Sequence, residues 1–208
     1  MIKIICHRGL WREKSEQNKF ISFRRSLDNN FGMEIDLRDL KNEIIISHDP
    51  YFSGEKVYLK MFLKRFHKEI KKKNILLALN IKTDGISKKL KTLLNRYQIK
   101  NYFVFDMSVP ETLNYKKNKL KFYERYSCYE SKLHFMKFSY GIWVDSFEGK
   151  FFFPLNIKRK NLCFVSPELH KKKNINSFWL KIKKIKKFNQ NIYLCTDYPF
   201  LAKEYFND

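Results

Sequence analysis

Cysteine is sparse and carries no pattern. Cys6, Cys128, Cys163 and Cys195 form no CxxC pair and show no zinc-ligand spacing, so neither a redox couple nor a thiolate metal site is written in them. Cys6, Cys163 and Cys195 each end an apolar run and read as small buried hydrophobes. Long apolar runs are missing too: none approaches the roughly 18 residues that span a membrane, and the N-terminus lacks the hydrophobic region of a signal peptide. A soluble, reducing, cytoplasmic setting is the expectation. No low-complexity linker or composition shift interrupts the 208 residues, which read as one domain over 1–208. Acidic residues are few, 21 against 43 basic ones, for a formal charge of +22. Such an excess normally points to nucleic acid. No recognition module accompanies it here, and lysine runs such as 71–73 and 171–173 read as solvated loops or helix ends. Dedicated nucleic-acid binding is therefore not expected. The field would still speed the arrival of an anionic small molecule.

What the chain does contain is a series of short apolar runs, at 2–6, 33–37, 75–81, 102–105, 120–123, 141–144, 162–165 and 192–195, eight candidate buried strands. A further run at 43–47 follows the short turn Lys41-Asn42 and reads as an extra hairpin strand. Several spacers have helical periodicity: Phe20, Phe23, Arg24 and Leu27; Ile86, Leu90, Leu93 and Leu94; Phe178, Ile182, Ile185 and Phe188. The spacer between Phe105 and Leu120 has little of it. Strands alternating with helices imply parallel βαβ units. Eight of them predict an α/β fold, a compact (β/α)8 TIM barrel with an extra β-hairpin after strand 2; at this length some helices should be short or missing.

In such barrels catalytic groups lie at the C-terminal strand ends. Here those ends read His7-Arg8, Glu34 with Asp36, Asn80 with Lys82, Asp106, Glu124-Arg125, Asp145, Ser166 with Glu168 and His170, and Thr196-Asp197. One polar residue after a strand is usually a cap or turn; a ring of eight converges on one volume. Glu34 and Asp36, two apart, share a strand face, as do Asn80 and Lys82. Two carboxylates aimed at one point repel unless a cation lies between them, and oxygen-only ligands favour Mg²⁺ or Ca²⁺. Arg8 and Lys82 suit the remaining phosphate oxygens. His7 and His48 titrate in the range of a general acid and base. Together they describe phosphate-ester chemistry.

These residues also resemble the glycerophosphodiester phosphodiesterase family, within the phosphatidylinositol-phospholipase-C-like barrels. The matching pieces are His7-Arg8-Gly9, Glu16-Gln17-Asn18, Glu34-Ile35-Asp36, Ser47-His48-Asp49 and Thr196-Asp197-Tyr198-Pro199. The resemblance implies an eight-stranded barrel that cleaves small-molecule phosphodiesters, with His7 and His48 as the acid–base pair, Glu34 and Asp36 on a divalent metal and Arg8 on the phosphate. A substrate hydroxyl beside the phosphate can attack first and give a cyclic phosphate that water then opens. One position departs: the family's Glu-x-Lys reads Asn80-Ile81-Lys82, which removes a negative charge and makes Asp106 the candidate to restore it as a metal ligand. Glu168 and His170, released from the strand by Pro167, are assigned to substrate contact, with helix capping as the plainer role. The alternative function is a non-catalytic barrel that binds an anion or phosphosugar.

Overall fold

A computed structural model describes residues 2–51, 53–152, 160–185 and 191–207. In chain order the elements are β1 (Lys3–Cys6), α1 (Phe20–Asp28), β2 (Gly32–Leu40), β3 (Glu43–Ile46), α2 (Leu59–Lys72), β4 (Leu77–Ile81), α3 (Ser87–Arg96), β5 (Tyr102–Phe105), α4 (Val109–Lys117), β6 (Tyr123–Tyr126), β7 (Gly141–Val144), β8 (Asn161–Val165), α5 (Ile175–Ile185), β9 (Ile192–Thr196) and α6 (Pro199–Asn207). The alternation of strand and helix is that of the (β/α)8 class. The chain divides into two compact units, His7–Phe122 and a discontinuous one made of Met1–Cys6 with Tyr123–Asp208.

In the His7–Phe122 unit, β4 lies between β2 and β5 and pairs with both in parallel, while β3 returns antiparallel on β2 as the expected hairpin. Met33, Ile35 and Leu37 are fully buried, and so are Glu34 and Asp36 on the opposite face of the same strand. A parallel strand covered on both sides is normally apolar throughout, so two carboxylates inside it mark a site rather than a packing surface. Helix α1 follows the predicted period, and its Phe23 meets Phe62 of α2 edge-on with ring centroids 4.9 Å apart. Leu59, Phe62, Leu63, Phe66 and Ile70 give α2 its buried stripe, each such side chain contributing about 1.5–3 kcal/mol.

In the other unit the parallel order is β1-β9-β8-β7-β6. The strand expected at 120–123 begins only at Tyr123. Its register is set by β7, where Tyr123 stands opposite Gly141; a Cβ on Gly141 would lie 2.5 Å from the Tyr123 ring, so that residue has to be glycine. Phe122 makes instead a single bridge to Val104 in the first unit's sheet. The weakly patterned 105–120 spacer is nevertheless a helix, α4, because Ser108 caps it by accepting from Glu111 N and Pro110 occupies its first turn. No helix forms between β6 and β7, one of the expected omissions. Phe188, the last apolar position expected of α5, lies outside the described residues. Ser166-Pro167-Glu168-Leu169-His170 contains a short 3₁₀ turn, Pro167–His170, rather than an open loop. Cys6, Cys163 and Cys195 are buried in or at the ends of strands, as read from their runs, and Cys128 is exposed. No helix among the described residues is long and apolar enough to cross a membrane.

Candidate active site

Strand β2 carries Glu34 and Asp36 on one face, each 1% exposed. Asp36 is the register partner of Asn80 on β4. Strands about 4.8 Å apart place the two side chains beside each other. Asn80 is buried, and its Oδ1 has no hydrogen-bond partner. A buried amide oxygen left unsatisfied costs about 1–3 kcal/mol, so this atom is one a ligand would relieve.

The cations around this pair are positioned by a tight turn. Arg8 (φ 57°) and Gly9 (φ 81°) both adopt the left-handed region, turning the chain back after β1. A Cβ on Gly9 would sit 2.6 Å from Ser22 Oγ. Helix α1 fastens the turn: Ser22 Oγ donates to the Arg8 carbonyl, and Ser26 Oγ accepts from Leu10 N at 2.8 Å. These bonds aim Arg8 N at Glu34 Oε2, 3.0 Å away, and put Arg8 Nε 3.0 Å from Asp36 Oδ2. Asn18 completes the clamp, donating from Nδ2 to Asp36 Oδ2 at 2.8 Å, and its backbone N–H bonds the Arg8 carbonyl. Asn18 had no assigned role in the sequence; the Glu16-Gln17-Asn18 segment was its signal. Glu16 in that segment is a structural anchor that holds Arg25 through two hydrogen bonds. Lys82 Nζ lies 3.6 Å from Asp36 Oδ1 and 3.5 Å from Asp106 Oδ2. Asp106 therefore stands in the cluster as a partner of Lys82.

His7 immediately follows β1 and is half-buried, and its carbonyl accepts from Trp11 Nε1 at 3.0 Å. His48 follows the β3 hairpin. Its Nδ1 lies 2.9 Å from Asp49 Oδ1, a bond that leaves Nε2 as the second ring nitrogen. Arg38 holds the backbone on both sides: Nε donates to the His48 carbonyl at 2.9 Å and Nη1 to the Lys82 carbonyl at 3.1 Å. Three positions on one strand face, Glu34, Asp36 and Arg38, thus hold Arg8, Asn18, Lys82 and the His48 backbone. Arg38→Ala should lower kcat by about tenfold with KM little changed, because it loosens His48 and Lys82 without touching substrate. Lysine, lacking the forked guanidinium, should not restore it. Steady-state kinetics of the two variants check this.

The electrostatics are dominated by the two acids. Burial, reinforced by the charge of Asp36, pushes the Glu34 carboxyl up to about 7, against the pull of His7, Arg8 and Lys82. Glu34 is thus poised between charge states near neutral pH. Among the described residues no three His, Cys, Asp or Glu side chains group as a metal site; the donors on offer to a cation are the oxygens of Glu34, Asp36 and Asn80.

Glu168 and His170 lie in the other unit, and their partners there are local. His170 Nε2 is 2.6 Å from Asp145 Oδ1, with the Phe147 ring 4.8 Å from the imidazole. Glu168 Oε1 accepts from Thr196 Oγ1 and from Asp197 N, so it ties the end of β8 to the end of β9. Its Oε2 is buried without a partner.

No protein-family model matches the chain, and no curated protein does. Solved structures do. A glycerophosphodiester phosphodiesterase from Agrobacterium tumefaciens str. C58 superposes with a TM-score of 0.66 at 12% identity, over 98% of this chain and 100% of that one. A glycerophosphoryl diester phosphodiesterase from Parabacteroides distasonis ATCC 8503 gives 0.65 at 14%, over 100% and 86%. Likeness of this extent shows the fold, the α/β (β/α)8 barrel class expected from the strand–helix alternation.

Proposed function

We propose that this chain is a phosphoric diester hydrolase that acts on a glycerophosphodiester-like or phosphosugar substrate. The observation that carries the reading is the buried Glu34–Asp36 pair beside the unsatisfied Asn80 oxygen, with Arg8 and Lys82 bound against it. The donor set fits Mg²⁺ or Ca²⁺: all its atoms are oxygens, two are carboxylates, and a dication would favour the charged form of Glu34 that burial and the Asp36 charge now disfavour. Glu34, Asp36 and Asn80 would hold it, and when bound it would act as a Lewis acid on a phosphate oxygen. Asp106, offered as a fourth ligand by the sequence, is read instead as the group that holds Lys82 in place.

The protein's own groups do the rest. Arg8 and Lys82 meet the non-bridging phosphate oxygens, where charge grows in the transition state. One histidine takes the proton of the attacking hydroxyl, and the other delivers a proton to the departing alkoxide as the phosphorus–oxygen bond breaks. Asp49, 2.9 Å from His48 Nδ1, orients that ring. The attacking hydroxyl belongs to the substrate or to water, and phosphorus NMR separates the routes by the presence of a cyclic intermediate.

The test is hydrolysis of bis-p-nitrophenyl phosphate and glycerophosphoglycerol with Mg²⁺ or Ca²⁺. Turnover that a chelator abolishes supports the reading, and turnover indifferent to chelation removes the metal from it. A second reading, binding without turnover, draws on Asp36 already having three partners in Arg8, Lys82 and Asn18. Tight calorimetric binding of a phosphosugar with no diester cleaved would favour it.

A further inference from the structure

Arg8 and His48 share the wall of a cavity of ≈ 480 Å³ whose lining comes from residues 8, 14, 17–19, 45–51 and 53–57. That volume suits a small-molecule site. Its shape is held from below by the β3 hairpin: Ile46 N donates to the Val57 carbonyl at 2.7 Å, and Ile45 bridges to Tyr58. On the outer side the Tyr51 hydroxyl donates to the Gly54 carbonyl at 2.9 Å, at a turn that only the positive φ of Gly54 (97°) allows cheaply.

The lining is cationic in a particular way. It contains Arg8, Lys14, Lys19 and Lys56 against Asp49 and Glu55. Two of the cations and both acids have ionic partners: Arg8 pairs with Asp36, Lys19 with Glu55 at 3.4 Å and Asp49 with His48, while Lys56 Nζ stands 5.0 Å over the Tyr51 ring. Lys14 and Lys56 remain as ammonium groups with no carboxylate partner among the described residues. Several of the neutral polar groups are already engaged: Gln17 Oε1 accepts from Arg8, Asn18 is bonded to Asp36, Ser47 Oγ donates to the Asp49 carbonyl and the Tyr51 hydroxyl to that of Gly54, which leaves the Ser53 hydroxyl. The ammonium groups of Lys14 and Lys56 favour an anionic arm, and a cationic arm would be repelled.

We propose that this cavity takes one alcohol arm of the diester and that this arm bears a second phosphate, met by Lys14 and Lys56. The assignment rests on the diesterase reading and names the substrate class within it. Lysine is a compact point charge suited to a terminal phosphate without demanding one geometry.

A matched pair of substrates tests it: glycerophosphoinositol 4-phosphate and glycerophosphoinositol differ only in the terminal phosphate. The wild-type protein should prefer the phosphorylated twin by about tenfold in kcat/KM at low salt, and Lys14→Ala with Lys56→Ala should bring the ratio near one. Because the ratio is internal to each protein, loss of general activity does not imitate the result. Lys60→Ala with Lys64→Ala, two exposed α2 lysines, separates a local effect from the field of all 43 basic residues and should leave the ratio as it was. A wild-type ratio near one, or a preference that survives the first double variant, overturns the proposal. Should neither twin be cleaved, the diesterase reading fails by itself, and calorimetric titration of both twins still decides: tighter binding of the phosphorylated one, lost in K14A/K56A, supports the cavity assignment, and equal binding refutes it.

Discussion

Replacing either His7 or His48 by alanine should reduce kcat on bis-p-nitrophenyl phosphate by about 10²–10⁴-fold, the usual contribution of a positioned general acid or base. Neither ring lies in the apolar core: His48 has a 43% exposed side chain, and His7 is half-buried. The folded population should therefore be unchanged, which circular dichroism and the melting temperature check. The double variant should lose little more than the worse single one, since two residues that move one proton in and one out act as a unit. Turnover that survives in both single variants sinks the assigned roles.

Glu34→Gln should show two effects of opposite sign. Glu34 has a raised pKa in the folded state, so the folded protein keeps a proton that the unfolded chain gives up near pH 4.5. Stability is then greatest at low pH on this account. It falls as pH climbs from about 4.5 through about 7 and levels off above. The glutamine variant has no such slope, and in the absence of metal at pH 8 it should be more stable than the wild type by a few kcal/mol. It should also lose most divalent-cation binding and, with it, activity. In the wild type, adding Ca²⁺ or Mg²⁺ at pH 8 should restore the missing stability, and binding below pH 7 should release a proton. Melting curves at three pH values, with and without the ion, test all of this. A wild-type melting temperature that does not fall on raising pH in chelator would contradict the buried charge pair.

Much of the fold was legible because strand periodicity is local. Buried parallel strands are short apolar runs, and the runs at 33–37, 75–81, 102–105, 141–144, 162–165 and 192–195 coincide with β2, β4, β5, β7, β8 and β9 to within a few residues. The exceptions are informative. Tyr123-Glu124-Arg125-Tyr126 does not look buried, and it is a strand because Gly141 across the ladder leaves room for the Tyr123 ring. Helix α4 has little apolar face and is defined by its Ser108 cap. In both cases the deciding partner is a single residue elsewhere, invisible to a sliding pattern.

The candidate site divides along the same line. The identities and spacing of His7, Arg8, Glu34, Asp36, His48, Asn80 and Lys82 are sequence facts, and alternation along a strand suffices to put both carboxylates on one face. What that spacing cannot express is which cation answers which acid. Asn18, Arg38 and Asp49 acquire roles only once the turn at Arg8-Gly9 and the β3 hairpin have folded, because a hydrogen bond is a matter of two atoms at 3 Å and not of two letters in a row. The same holds for charge: the sequence by itself determined that the chain is strongly basic and that two acids share a strand. Only the tertiary structure decided that those acids are buried, that Glu34 is thereby lifted toward neutrality, and that Lys14 and Lys56 stand without an acid partner among the described residues in the cavity that Arg8 and His48 line. Burial sets the dielectric, and the dielectric sets what a charge can do.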